Sequence, residues 1–163
     1  MNADQRFAEI RSQHGHVDPG EIPGLKFVPA VEVDELLFLS GEGPRLGNEF
    51  KYQGKVPDDV RIDDAIQAAY LSGLNLIFAA QKKLGTLERV RQVAEVFGMV
   101  NSSSGFTEQP AVVNGISQCL LDVFGEPIGS HTRTAVGMAE LPFNICFEAR
   151  MTLHILPSNQ NQS

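Results

Sequence analysis

The strongest pattern along the chain is helical. Over Ile62–Leu84, apolar residues recur at i, i+3, i+4 and i+7, which predicts a helix with one buried stripe. Acidic residues at its start and lysines at its end complement the helix dipole, and Gly85 is placed to end it. Small residues on the stripe, Ala65, Ala69 and Gly73, are expected to let the helix lie close to a sheet.

The second half of the chain alternates strand and helix patterns. Residues 89–101 crowd Val, Phe and Met together and predict a strand. A helix is predicted over Gln109–Phe124, with Pro110 in its first turn and Gly125 at its end. Strands are predicted at 132–137 and 145–156. In the last one, odd-numbered residues are apolar and even-numbered ones mostly polar, so one face should be buried.

The first half of the chain predicts a short helix, an arm and a hairpin. Residues 3–12 can form a helix, and the Gly- and Pro-rich stretch 14–24 should end it. Strands at 27–33 and 36–40 are expected to pair, followed by a loop over 41–54. The expected organisation is an N-terminal arm at 1–24, one domain at 25–157 and a flexible tail at 158–163.

Together these elements predict an α+β fold, a two-layer sandwich of a mixed sheet with two helices on one face. The polar face of the last strand would then have no helix over it. Either water or another subunit should cover that face.

Composition removes several classes of function. Thirteen Lys and Arg against twenty Asp and Glu give a net charge of −7, which disfavours nucleic acid as a partner. Two cysteines without a CxxC pair disfavour a disulfide scaffold or a structural zinc site. Apolar runs fall short of the roughly 18 residues of a membrane span, and the N-terminus lacks a signal core. A cytoplasmic protein without membrane association is expected.

Generic catalytic motifs are missing from the sequence, and the remaining candidates are weak. The sequence has no P-loop, GxGxxG, HExxH or GxSxG. His14 and His16 could chelate a metal, but no carboxylate partner is evident, so neither a metal nor another cofactor is expected. Ser130-His131 lacks a nucleophile elbow, and Cys119 reads as a small core residue.

Two charged residues carry more weight. Arg133 lies in a strand that is otherwise small and apolar, where a guanidinium needs an anion or a partner. It could form a structural salt bridge or hold a ligand carboxylate with two parallel hydrogen bonds. Glu148 lies on the polar face of the next strand. The two strands are expected to pair through the 138–144 connection, so that Glu148 can approach Arg133, either as a base or as its neutralising partner.

Several segments together resemble the RidA family, the YjgF-like proteins also labelled endoribonuclease L-PSP. The similarity covers residues 27–156, and its clearest pieces are LLFLSGEGPR, VNGISQCLLDVFGE and HTRTAVGMAELPFNICFEA. The resemblance implies a chorismate-mutase-like fold and a homotrimer with clefts between subunits. It also implies hydrolysis of imines and enamines, such as 2-iminobutanoate, 2-iminopropanoate and 2-aminoacrylate, to 2-keto acids and ammonia.

The resemblance also assigns the site. Arg133 matches the family's carboxylate-binding arginine, and Glu148, fifteen residues later, matches its water-handling glutamate. Asn114, Ser40 and Gly41 match residues that line the cleft.

The chain departs from the family in two places. Ala135 stands where the family has a cysteine, and no tyrosine is found around residues 29–33. Two functions therefore stay open, a deaminase and a noncatalytic trimer that binds a small carboxylate. A ribonuclease, which the older family label suggests, is disfavoured by the negative charge.

Overall fold

The computed structural model describes residues 1–158, so most of the expected tail, residues 159–163, lies outside it. Residues 1–158 contain three helices, seven strands and two short 3-10 turns, at Leu87–Arg89 and Pro142–Asn144. The helices are α1 (Ala3–Gln13), α2 (Ile62–Leu84) and α3 (Gln109–Phe124). The strands are β1 (Ala30–Val33), β2 (Leu36–Glu42), β3 (Arg45–Leu46), β4 (Glu49–Phe50), β5 (Val90–Asn101), β6 (Thr132–Met138) and β7 (Phe147–Ile155).

Five strands form one mixed sheet in the order β1-β2-β7-β5-β6. β5 and β6 run parallel, and the other neighbours are antiparallel. The predicted hairpin is confirmed, with Val31 opposite Phe38. β5 lies between β6 and β7, so the expectation that the last two strands pair is wrong. The 138–144 connection instead carries the chain across β5.

The two long helices cover one face of the sheet and have the predicted bounds. Gly85 ends α2 in the left-handed region, at φ 82°. Phe147, Ala149, Met151, Leu153 and Ile155 of β7 are buried beneath the helices, as the alternation predicts. Cys146 departs from the pattern: it precedes the regular strand and is fully buried rather than on the polar face.

Small residues of α2 also make a contact that the sequence did not predict. A Cβ added at Gly73 would lie 3.0 Å from Cys119 Sγ, and one added at Gly115 would lie 2.9 Å from the Cβ of Ala69 and overlap the carbonyl oxygen of Ile66. Gly73 and Ala69 therefore let α2 approach α3, in addition to the packing of both helices on the sheet.

Helix α1 packs against the rest of the molecule. Phe7 is buried in the common core, and Arg6 Nε donates to the carbonyl of Val123 on α3 at 2.6 Å. Asp4 accepts hydrogen bonds from Gln81 Nε2 at 2.7 Å and from the backbone N–H of Leu87 at 3.0 Å. These contacts fix the helix to both α2 and α3.

The segment predicted as a loop over 41–54 is more regular than expected. Gly41 and Glu42 continue β2, and β3 pairs with β4 in a small antiparallel ribbon. Within the described residues, no helix is long and apolar enough to cross a membrane.

The face of the sheet opposite the helices is open in the single chain and carries both polar and apolar groups. Glu148, Arg150, Thr152 and His154 lie on it, as predicted for β7. The hairpin adds apolar side chains that the β7 pattern does not reveal: Val31, Val33, Leu36 and Phe38 are all exposed.

Candidate active site

Arg133 lies near the start of the edge strand β6 and points toward α3. Its register partner on β5 is Val96, which is fully buried and pairs in turn with Met151 of β7. Laterally paired residues share a face of the sheet, so Arg133 lies on the helix-covered face, where the edge strand leaves it half-buried.

Neutral acceptors hold the Arg133 guanidinium. Nη1 donates to Asn114 Oδ1 at 2.8 Å and to Ser117 Oγ at 3.0 Å, and Nη2 donates to the carbonyl of Pro110 at 3.1 Å. None of the ion pairs within residues 1–158 involves Arg133, so the structural salt-bridge alternative is wrong for that part of the chain. Of its five N–H donors, Nε–H and one on Nη2 make no hydrogen bond within residues 1–158.

Asn114 contacts Arg133 directly, which is a more specific role than lining a cleft. It lies on the exposed side of α3, and its side-chain oxygen binds Arg133 directly. Ser117, one turn later, does the same. Ser117 was not among the residues predicted for the site. Its i, i+3 spacing from Asn114 puts the two residues on the same side of a helix, and this spacing was visible in the sequence.

Glu148 lies on the opposite, open face of the sheet. Its register partner on β5 is Met99, three residues from Val96 and so on the other side of the strand. The carboxylate is half-buried. Burial raises the pKa of Glu148, and the nearby Glu42 carboxylate raises it further. A carboxyl group with a raised pKa exchanges protons more readily near neutral pH, which suits an acid–base role.

Ser40 and Gly41 lie next to Glu148, where the pairing of β2 with β7 is irregular between Leu39 and Glu42. A Cβ added at Gly41 would overlap Glu148 Oε1, so a larger residue there would displace the carboxylate. Ser40 Oγ donates to the carbonyl of Val28 at 2.6 Å and ties down the segment before β1.

A cavity of about 480 Å³ opens beside the bulge in β2, and its lining includes Ser40, Gly41 and Phe27 but not Glu148. Phe27 is 59% exposed and places an aromatic ring at the cavity. It lies two residues before the range 29–33, in which the family's tyrosine was expected. The cavity's opposite wall belongs to α2, with Leu76 and Phe78 among its residues.

The candidate residues thus form two groups. Arg133 and Asn114 lie at the β6 edge on the helix side, whereas Glu148, Ser40 and Gly41 lie around the bulge in β2. Because β5 separates β6 from β7 and the two charged side chains point to opposite faces, Glu148 does not neutralise Arg133 within one chain. The expected approach of these two residues is wrong for the single chain.

The cysteine and histidine candidates make contacts typical of structural residues. Cys119 is fully buried, as predicted for a core residue, and burial raises its pKa, while burial raises the pKa of Cys146 to about 12. His16 hydrogen-bonds Asn75 Oδ1 at 2.7 Å, and His14 stacks on Tyr70. Among the residues described, no group of three or more His, Cys, Asp or Glu is placed to hold a metal ion.

A mixed sheet with two long helices on one face and this strand order has the chorismate-mutase-like form of the α+β sandwich. The family model "YjgF/chorismate_mutase-like, putative endoribonuclease" matches residues 23–151. The chain therefore belongs to the YjgF/RidA family.

Individual proteins are similar to this chain over most of its length. Protein TCP17 of Trypanosoma cruzi is 36% identical over 126 residues, which cover 77% of this chain and 79% of that protein. The crystal structure of protein Atu1372 of Agrobacterium tumefaciens superposes with a TM-score of 0.82 at 34% identity, covering 94% of this chain and 91% of that one. A "putative endoribonuclease" from Shewanella oneidensis shares the fold, with a TM-score of 0.85 at 24% identity, covering 95% and 100%.

Proposed function

We propose that the protein hydrolyses imines and enamines that carry a carboxylate, releasing ammonia and a 2-keto acid. One observation carries the proposal. The Arg133 guanidinium is held by three neutral acceptors, with no carboxylate partner among residues 1–158, and its Nε–H and one Nη2–H have no acceptor among those residues. A positive charge fixed in this way is suited to a ligand carboxylate, which can accept two parallel hydrogen bonds.

The proposed reaction needs little beyond positioning and a base. Arg133 holds the substrate carboxylate, and Glu148 orients a water molecule and accepts its proton as oxygen attacks the iminium carbon. Glu148 then returns its proton to the nitrogen of the tetrahedral carbinolamine. The C–N bond breaks, ammonia leaves, and the hydroxyl proton passes to Glu148 or to water as the carbonyl of the keto acid forms. A protonated imine is already electrophilic, so the chemistry requires no metal or organic cofactor.

The departure at position 135 is compatible with this chemistry. Ala135 packs half-buried against the core, and a small side chain there leaves the Arg133 contacts intact. Because water is the nucleophile, a thiol at that position is not needed for the reaction.

A complete site would require two protein chains. Arg133 and Glu148 lie on opposite faces of the sheet in one chain, so a cleft containing both would take Arg133 from one subunit and Glu148 from another. The exposed apolar side chains beside Glu148 support an interface on that face. A homotrimer with sites between subunits is part of the proposal, since closed cyclic symmetry gives every subunit both contacts.

We place the protein in the cytoplasm. Both cysteines are free and buried, which fits a reducing compartment.

The experiment is to follow ammonia release from imino acids generated enzymatically in the presence of the protein. The wild type should accelerate release, and Glu148→Gln should lower turnover by about 100-fold, because it keeps the shape but removes the base. An exposed variant far from the site, Glu9→Gln, serves as the control. Equal rates with and without protein would contradict hydrolysis of these substrates and leave carboxylate binding as the role of Arg133.

A further inference from the structure

A series of hydrogen bonds leads from Arg133 Nη1 through Ser117 and His131 to the carbonyl of Gly129. Ser117 Oγ lies 3.0 Å from Arg133 Nη1 and 2.9 Å from His131 Nε2. The other ring nitrogen, Nδ1, lies 2.7 Å from the carbonyl oxygen of Gly129. Neither Ser117 nor His131 belongs to the site that the family resemblance assigns.

The direction of each hydrogen bond follows from the chemistry of the groups. The Gly129 carbonyl can only accept, so Nδ1 of His131 carries a proton and donates it. Nε2 of the neutral ring is then an acceptor, and the Ser117 hydroxyl must donate to it. The Ser117 oxygen is left with lone pairs for Arg133 Nη1, which can only donate.

The Gly129 carbonyl, the last group in this series of hydrogen bonds, is held in place by packing. A Cβ added at Gly129 would lie 2.7 Å from the carbonyl oxygen of Leu120, and the Gly129 N–H donates to the carbonyl of Gly125 at 2.6 Å. The turn before β6 therefore packs tightly against the end of α3. Through His131 and Ser117, that packing limits rotation of the Arg133 guanidinium.

We propose that Ser117 and His131 are positioning residues for Arg133, which keep its Nε–Nη2 edge turned toward the carboxylate of the substrate. The role in substrate binding rests on the proposed function. The pair selects a planar carboxylate over a neutral amide, because a guanidinium held in one orientation favours two parallel hydrogen bonds.

The first test observes Arg133 directly and needs no ligand. In protein labelled with ¹⁵N-arginine, NMR measures rotation of the guanidinium about its Nε–Cζ bond. We expect slow rotation for Arg133 in the wild type and in Ser117→Thr, and fast rotation in Ser117→Ala and His131→Phe. His131→Gln should restore slow rotation, since its amide oxygen can accept from Ser117. Ser130→Ala, an exposed serine beside His131, is the matched control.

The second test measures binding of pyruvate and of its amide by calorimetry. Ser117→Ala and His131→Phe should weaken pyruvate binding about tenfold, the cost of immobilising one side chain on binding, and leave amide binding unchanged. The melting temperature of both variants should stay near that of the wild type.

The outcomes separate the two proposals. Unchanged Arg133 rotation in Ser117→Ala and His131→Phe would overturn the positioning role, whatever the protein binds. Covalent labelling of Ser117 by a fluorophosphonate would also overturn it, because Ser117 would then be a nucleophile. A wild type that fails to bind pyruvate but shows the expected rotation changes would contradict the proposed function and leave the positioning role supported.

Discussion

At the scale of single residues, neighbours decide what a charge can do. Arg133 and Glu148 look like a possible ion pair in the sequence, but the structure gives them unrelated surroundings. Arg133 is held by Asn114, Ser117 and a backbone carbonyl, all neutral. Glu148 is half-buried, and this burial, together with the nearby Glu42 carboxylate, raises its pKa. Each charge is therefore available to a ligand or a second subunit.

Arg133→Ala should separate binding from stability. We expect binding of small 2-keto acids to weaken by about 2–4 kcal/mol, the usual cost of removing one partner of a charged hydrogen-bonded pair. Stability should change little, because the variant leaves no buried carboxylate unpaired. Calorimetry and thermal unfolding of the same samples measure the two effects. Strong destabilisation with unchanged affinity would mean that Arg133 is structural.

At the scale of elements, α2 and α3 approach each other closely at Gly115. Gly115 of α3 faces the backbone of α2 at Ile66, with no room for a methyl group. Helix axes can come this close only where one side contributes hydrogen rather than a side chain. The β6 edge depends on this packing, since α3 carries both Asn114 and Ser117.

Gly115→Ala should destabilise the protein despite the better helix propensity of alanine. The added methyl group overlaps the carbonyl oxygen of Ile66, so the helices must separate, at a cost of about 1–3 kcal/mol. Urea unfolding measures the change. Gln118→Ala, on the exposed side of the same helix, should stay within about 0.5 kcal/mol of the wild type. Equal stability of Gly115→Ala and the wild type would show that the helices are less tightly packed.

The segment after α1 is held by a buried histidine. His16 binds Asn75 of α2, and Asn75 Nδ2 donates to the carbonyls of Gly43 and Arg45 at 2.9 and 3.0 Å. Because Asn75 Oδ1 is the acceptor, His16 Nε2 donates, and Nδ1 accepts from Arg11 Nε at 2.9 Å. Protonation of Nδ1 would break the contact with Arg11.

Stability should therefore fall as the pH is lowered. Burial lowers the pKa of His16 below its ordinary value of 6.5, and the Arg11 charge contributes in the same direction. The unfolded chain then binds a proton more readily than the folded one, so the contribution of His16 is complete above pH 6.5 and is lost below it. Urea unfolding at pH 7.5 and 5.5 should show a larger loss for the wild type than for His16→Gln. Equal losses in the two proteins would contradict this role of His16.

At the scale of the whole molecule, one chain presents the two groups of the proposed site separately. The open sheet face carries Glu148 together with exposed apolar residues such as Val31 and Phe38, and the β6 edge carries Arg133. Such a surface is unfavourable in water unless another chain covers it. The two halves can then meet across an interface.

Light scattering after size exclusion should give about three times the chain mass of 17.8 kDa at micromolar concentration. A mass of 17.8 kDa would contradict the trimer and, with it, a site shared between subunits. Mixing Arg133→Ala with Glu148→Gln subunits provides a further check, because mixed trimers should regain part of the activity that each variant lacks.

The sequence by itself determined the local elements of this protein. The bounds of α2 and α3 follow from their apolar stripes and terminal glycines, and the buried face of β7 follows from alternation, because these signals depend on neighbouring residues. Tertiary structure alone decided which elements distant in the sequence meet. The insertion of β5 between β6 and β7 is a pairing between distant segments, and local patterns do not encode it. For the same reason, only the folded chain shows that Arg133 and Glu148 point to opposite faces of the sheet. The contacts of Ser117 with Arg133 and His131 are likewise visible only in the folded chain.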